Sequence, residues 1–392
     1  MTSSQTFADN ALKASARFWF VAAILGQLLF AFTTAAYYGL TALRGDMQAW
    51  NRYMMRGYSA GETASNVAVA MHLVSAVIII LAGALQFVPS IRQRFPAFHR
   101  WSGRLYMLTA LTLTLGGLYL HWVRGSLGDL SMRIAATVNA VLIWICAVQA
   151  IRYAMARDFK THRRWTLRLF LVVSAAWFFR AFFFLSLVIF KGPVGFDPST
   201  LTGPFLTFMA FAQFAVPLAV VELYFLAQDR PGAIRRLSMA AALFVLTIGM
   251  TVGVFAVSAS IWVPSIKAAF DSRKSLAYVL FSTTTSRGVD QAIAQYRQLK
   301  TTAAETYNFD EVQLNLLGYQ LLRANKHEAA IRIFLLNIEA YPRSSNAYDS
   351  LGEAYLATRN RMLAIANYRK AVQLNPNNGN SIAMLRKLGV WK

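Results

Sequence analysis

Apolar residues fill the first two thirds of the chain in blocks of about twenty, parted by short polar stretches. The blocks fall at residues 18–41, 68–88, 104–123, 134–153, 166–190, 204–227 and 238–262. Each is close to the roughly 20 residues a helix needs to cross the hydrocarbon core. After residue 262 the long blocks stop. The pattern predicts an all-α protein in which a seven-span transmembrane bundle (1–262) leads into a small soluble helical domain.

Within that tail, residues 311–378 repeat at a period of 34. Leu317 recurs as Leu351, Gly318 as Gly352, Ala330 as Ala364, Phe334 as Tyr368 and Pro342 as Pro376. This L-G, A, F/Y, P spacing resembles that of tetratricopeptide repeats. The glycines allow close helix contact, the alanines pack at the helix crossing, and the prolines end each pair. The repeats span 311–344 and 345–378, with a capping helix at 379–390. Residues 288–300 read as a degenerate helix before the first repeat. The domain is thus 288–392, with 263–287 as connector. His327 reads as a polar surface residue in a turn. Such modules generally bind a protein or peptide partner in a concave groove and carry no catalysis.

Composition changes the picture in one respect. The chain has 392 residues, 56% of them hydrophobic and 14% charged, with a formal net charge of +22 and mean hydropathy of +0.41. In a soluble protein such a charge would suggest nucleic acid. Here much of it lies between apolar blocks, where it sets topology and meets anionic lipid, so no nucleic-acid partner is expected. Across alternate loops, 15 Lys and Arg stand on one side and 6 on the other, the latter including Arg44, Arg52 and Arg56. The richer side is cytoplasmic. That puts the N-terminus inside a bacterial inner membrane and, after seven spans, the tail outside the cytoplasm. The first block is long enough to remain as an anchor. Cys146 is the only cysteine, which leaves no intrachain disulfide or thiolate metal site.

Four histidines lie in the membrane half. Counted at 1.5 Å per residue, His72 and His121 are roughly 25 Å from the inner boundary, while His99 and His162 are at it. Two levels of paired histidines fit b-type haem ligation, with Arg180 for a propionate. His99 and His121 share one helix roughly 33 Å apart, a long gap for electron transfer. A proton or metal site, polar helix contacts and interfacial anchoring are the rival readings. Glu222 in span 6 is expected to pair with Arg104 or Arg168, and Arg180 to face His72, His121 or Asp197. Gln86, Gln213 and Pro217 add polarity inside spans. There is no nucleotide-binding glycine loop, HExxH pair, nucleophile elbow or carboxylate pair, which points away from an enzyme.

Two phrases stand out: FPAFHRWSGRLY (95–106) and THRRWTLR (161–168), both at the cytoplasmic starts of spans. With His72, Gln86, Phe87, Pro89 and Arg180, they resemble a bacterial family of predicted membrane proteins known as domain of unknown function 2306. The likeness runs over about 67–230. It rests on Gln86, Arg100, Trp101, Gly103, Arg104 and Tyr106 in the first part, and on Arg163, Arg164, Trp165 and Arg168 in the second. His121 is outside the shared set, which weakens an outer haem pair. The resemblance implies membrane location and helical fold but no activity. The leading expectation is a membrane scaffold or sensor whose tail binds a partner. A haem or other redox protein, or a small-molecule or proton-coupled transporter, are alternatives.

Overall fold

A computed structural model of the chain describes residues 3–54, 57–59, 61–125, 129–196, 201–271 and 273–391. Arg56 and Asp197, used above, lie outside the described residues. Among the described residues the regular structure is helical apart from one parallel bridge, β1 (Lys274–Ser275) with β2 (Tyr307–Asn308). It divides into two compact units, Met1–Leu40 with Arg56–Ala269, and Thr41–Met55 with Phe270–Lys392.

The first unit is a bundle of long apolar helices. α1 (Ser3–Thr34) passes through a π-helical turn (Ala35–Gly39) into α2 (Leu40–Leu43). Then come α3 (Thr63–Gln86), the short α4 (Pro89–Arg94), α5 (Pro96–Trp122) and α6 (Leu130–Met155). α7 (Phe159–Val173), α8 (Ala175–Phe190), α9 (Pro204–Asp229) and α10 (Ala233–Val257) complete the row. A second π-helical turn (Ser258–Trp262) joins α10 to α11 (Val263–Phe270). Helix starts follow local chemistry. Pro89, Pro96 and Pro204 occupy first turns, where no intrahelical donor is needed. Asp129 and Asp158 cap α6 and α7 by accepting from the Met132 and Thr161 backbone N–H groups. Large apolar side chains such as Leu25, Val74, Leu108, Val148 and Phe208 face outward, as a lipid solvent requires.

Five stretches are long and apolar enough to cross a membrane: Ser4–Leu43, Thr63–Gln86, Leu130–Met155, Pro204–Asp229 and Ala233–Phe270. The bent pair α7 and α8 makes a sixth. The count is therefore five or six where seven were expected. α5, the expected third span, falls outside it because threonines, tyrosines, Gly116, Gly117 and His121 dilute its leucines. The expected fifth span is not one straight helix. α7 and α8 meet at 56°. Ser174 sits at the break with ψ 3°, and its buried hydroxyl accepts from Gln27 Nε2 of α1 at 3.1 Å.

In the second unit, α12 (Leu276–Arg287) and α13 (Val289–Thr302) precede four helices in two pairs. These are α14 (Glu311–Arg323) with α15 (His327–Ala340), and α16 (Ser345–Ala357) with α17 (Arg361–Leu374). Every boundary of the first pair recurs 34 residues later in the second. α18 (Gly379–Lys387) follows. The core gathers Leu276, Leu280, Leu314, Leu317, Leu321 and Phe334, so α12 is built into the tail. Residues 263–287, expected as a connector, are thus helical at both ends, as α11 and α12. Gly318 lies against the Phe334 ring, and a Cβ on Gly352 would stand 2.8 Å from Tyr368 Cε1, so neither position admits a side chain without movement. His327 opens α15 instead of lying in the turn. On α18 the buried apolar pair is Met384 and Leu385, while Leu388 is only partly covered.

Residues 41–55 close this unit. Asp46 caps a 3-10 turn (Met47–Arg52), and the buried Trp50 donates to Thr41 Oγ1 at 3.0 Å. Arg44 Nη1 donates to the Asp271 carbonyl at 2.8 Å.

Candidate functional site

The two basic phrases act first as helix locks. Gln86 at the end of α3 donates to Ser102 Oγ at 2.6 Å and to the His99 carbonyl at 3.3 Å. Gly103 leaves room for it, since a Cβ there would stand 3.3 Å from Gln86 Oε1. One turn on, the buried Tyr106 ring fills the space over Gly83. The W-x-x-R element is also physical. Arg104 lies over Trp101 and Arg168 over Trp165, each 4.7 Å from ring centroid to guanidinium carbon. Three residues apart on a helix, an indole and a guanidinium stack and share the interface. Arg100 and Arg163 are exposed.

Arg168 makes a two-bond contact with Glu222, at 2.6 and 2.8 Å. Arg164 makes another with Asp229, at 2.8 and 2.6 Å. Both guanidiniums also lie over the Phe225 ring. α7 and α9 are therefore joined by a ladder of two arginines, two carboxylates and one aromatic. Of the two partners expected for Glu222, Arg168 takes it, and Arg104 stays on its tryptophan. The Arg164–Asp229 rung was missed by sequence reading. Its signal was the charge spacing, two arginines one turn apart facing two carboxylates two turns apart.

The histidines occupy two places. Near the starts of α5 and α7, His162 Nδ1 lies 2.8 Å from the Ala150 carbonyl of α6, and its ring is within electrostatic range of His99, whose buried Nδ1 has no partner among the described residues. Toward the C-terminal half of α5, His72 of α3 lies within range of His121 and Arg180 and beside the Leu113 carbonyl, and its buried Nδ1 has no partner among the described residues. The ring rests over Gly116 and Gly117, 4.0 and 3.8 Å from where their Cβ atoms would be. Arg180 donates to its own helix at the Ala176 carbonyl (2.7 Å) and lies 5.0 Å over Phe30. Among the described residues no carboxylate pairs with it, and no three His, Cys, Asp or Glu side chains converge as a metal site. A guanidinium beside imidazoles can hold an anion or take part in a proton relay. Gln213 Nε2 returns to the Ala210 carbonyl of its own helix, and Pro217 lies buried within α9.

The tail presents a second polar site along α14, α16 and α18. Tyr319 OH donates to Glu353 Oε2 at 2.8 Å and lies 3.1 Å from Ser350 Oγ. Asn380 Nδ2 donates to both Asp349 Oδ2 and Glu353 Oε1, each at 2.8 Å, and Ser381 donates to Asp349. Burial pushes the Asp349 carboxyl above its ordinary 3.8, against the pull of Ser381 and Asn380. Burial likewise drives the Tyr319 phenol well up, so it stays a donor at neutral pH. The unsatisfied atoms here are acceptors, Asn315 Oδ1 and Asn380 Oδ1. Asn315 stands one repeat before Asp349, which puts it in the same row.

Residues 69–216 match the family model described as "Predicted membrane protein (DUF2306)". Over 75 residues the chain is also 36% identical to the anaphase-promoting complex subunit CDC16 of Saccharomyces cerevisiae. That stretch is 19% of this chain and 9% of the yeast protein, so the chain spans under a tenth of its relative's length. No solved structure matches.

Proposed function

We propose that this is a seven-span membrane protein whose tetratricopeptide-type tail, outside the cytoplasm of a bacterial cell, holds a cationic segment of a protein partner. The carrying observation is the polar row along α14, α16 and α18, in which the part-exposed Glu353 carboxylate stands among Tyr319, Asp349 and Asn380. Such a row seeks N–H donors and positive charge, as Lys and Arg supply. Stacks of helix pairs in general bind extended partners on a concave face. The likeness to a subunit of a larger complex is consistent with that use.

The span number is supported by parity. Residues 41–55 pack in one unit with Phe270–Lys392, so an even number of crossings separates them. With α3, α6, α9 and α10 crossing, the bent pair and α5 cross together or not at all. Crossing by both gives seven spans, and the loop charge bias then supports a cytoplasmic N-terminus.

The test uses the full chain in nanodiscs and fluorescent ten-residue peptides of Lys/Arg-rich, neutral and Glu-rich composition, read by polarisation. Basic peptides should bind at least about tenfold more tightly than acidic ones, a gap of about 1.4 kcal/mol. Glu353→Lys should erase the preference. Equal binding of acidic and basic peptides would overturn the reading.

A further inference from the structure

A cavity of about 340 Å³ lies in the membrane unit between α1, α7, α8, α9 and α10. Its walls are apolar, with Trp19, Phe178, Phe182, Pro217, Leu246 and Met250 among them. Its polar side chains are Lys13, Arg17 and Tyr224. Lys13 and Arg17 are four apart on α1 and share a face. Leu243 to Met250 on α10 spans about 10 Å along the shaft. The polar groups sit at the end near the helix starts of α1 and α10 and the helix end of α9, and the apolar walls run inward from there.

Charge at this end is unbalanced. Its carboxylates are already taken: Asp9 by Arg236, Glu222 by Arg168 and Asp229 by Arg164. Asp9 precedes Lys13 by one turn and would be its natural partner, yet it is turned to α10. Lys13 and Arg17 are exposed and form no ion pair among the described residues. Tyr224 OH accepts from Gln228 Nε2 at 2.8 Å, which leaves its own proton for another acceptor. Two surplus cations and a free phenol donor thus crown an apolar shaft.

We propose that this cavity binds a single-chain anionic amphiphile. Its carboxylate or phosphate head is held by Lys13, Arg17 and Tyr224, and its chain runs between α1 and α10 toward Met250. The volume is near the bottom of the roughly 300–1,000 Å³ range of ligand pockets, which suits one chain and not two. Carboxylate and phosphate heads share the chemistry that cations and a phenol recognise.

Trp19 in the wall supplies a local reporter. The full-length protein in phosphatidylcholine nanodiscs is titrated with dibromostearate, with its uncharged methyl ester, and with lysophosphatidic acid carrying a brominated chain. Bromine quenches nearby indole fluorescence, and the part lost in Trp19→Phe defines the cavity signal. The charged single-chain probes should quench Trp19 at concentrations at least about tenfold below the methyl ester, about 1.4 kcal/mol. The better of the two identifies the head. Lys13→Gln with Arg17→Gln should remove that advantage, while Arg17→Lys should retain most of it. Both positions are exposed, and an unchanged melting temperature of each variant reports an intact fold. Equal quenching by the methyl ester, or an undiminished advantage in the double Gln variant, overturns the proposal. So does quenching only by a brominated two-chain phosphatidylglycerol.

Discussion

Asn337 is fully buried in α15, and neither amide atom has a hydrogen-bond partner. Its counterpart one repeat on is Ala371, also fully buried. A buried amide without partners costs about 1–3 kcal/mol, whereas alanine forfeits only a few packing contacts. Asn337→Ala is therefore expected to stabilise the tail by on the order of 1 kcal/mol. Thermal denaturation followed by circular dichroism checks this, and a lower melting temperature would mean that the amide is satisfied in solution. The signal was present in the sequence, because the repeat register sets Asn337 against Ala371. Other residues were legible in part. Gln86 and Gly103 stood in a recognisable phrase, but that one fits against the other across α3 and α5 is a matter of interhelical distance.

At the scale of elements, α18 covers the second helix pair through Met384 and Leu385 and buries Asp349 through Ser381 and Asn380. Burial raises the Asp349 pKa in the fold above its ordinary 3.8. The fold then binds this proton more tightly than the unfolded chain does. The resulting stabilisation is complete below 3.8 and is lost as pH rises through the folded value. A chain ending at Asn378 should lose both effects. It should melt lower at neutral pH, and the part of its stability that rises on acidification through the upper carboxylate range should disappear as Asp349 is rehydrated. Melting curves of the two chains between about pH 4 and 7 test this. Parallel pH profiles would show that α18 does not bury Asp349. The two helix pairs were readable from the repeat period. The break between α7 and α8 was not, since an unbroken apolar block at 166–190 carries no mark of the Gln27–Ser174 contact from a distant helix.

For the whole molecule, parity and loop charge meet in one expectation. Alkaline phosphatase joined after Phe270 should be active, and a reporter that works only in the cytoplasm should be silent there. A fusion in the loop at residues 41–55 should behave as the tail does, because both belong to one packed unit. Opposite results at the two sites would break the parity argument, and a cytoplasmic tail would reverse the orientation.

The apolar blocks, their bias of basic loops and the 34-residue period are one-dimensional signals, so the sequence alone determined an all-helical membrane protein with a helical repeat tail. Length against bilayer thickness, and repetition of L-G, A and F/Y positions, need no knowledge of neighbours. Partners across helices are another matter. That Glu222 takes Arg168 while Arg104 keeps Trp101, that His72 lies within electrostatic range of Arg180 and His121, and that residues 41–55 join the tail follow from how helices are placed in space. Such pairings depend on distances of a few ångströms between segments tens to hundreds of residues apart. Hydrophobic periodicity is blind to them, because it records which face of a helix is apolar and not which helix it meets.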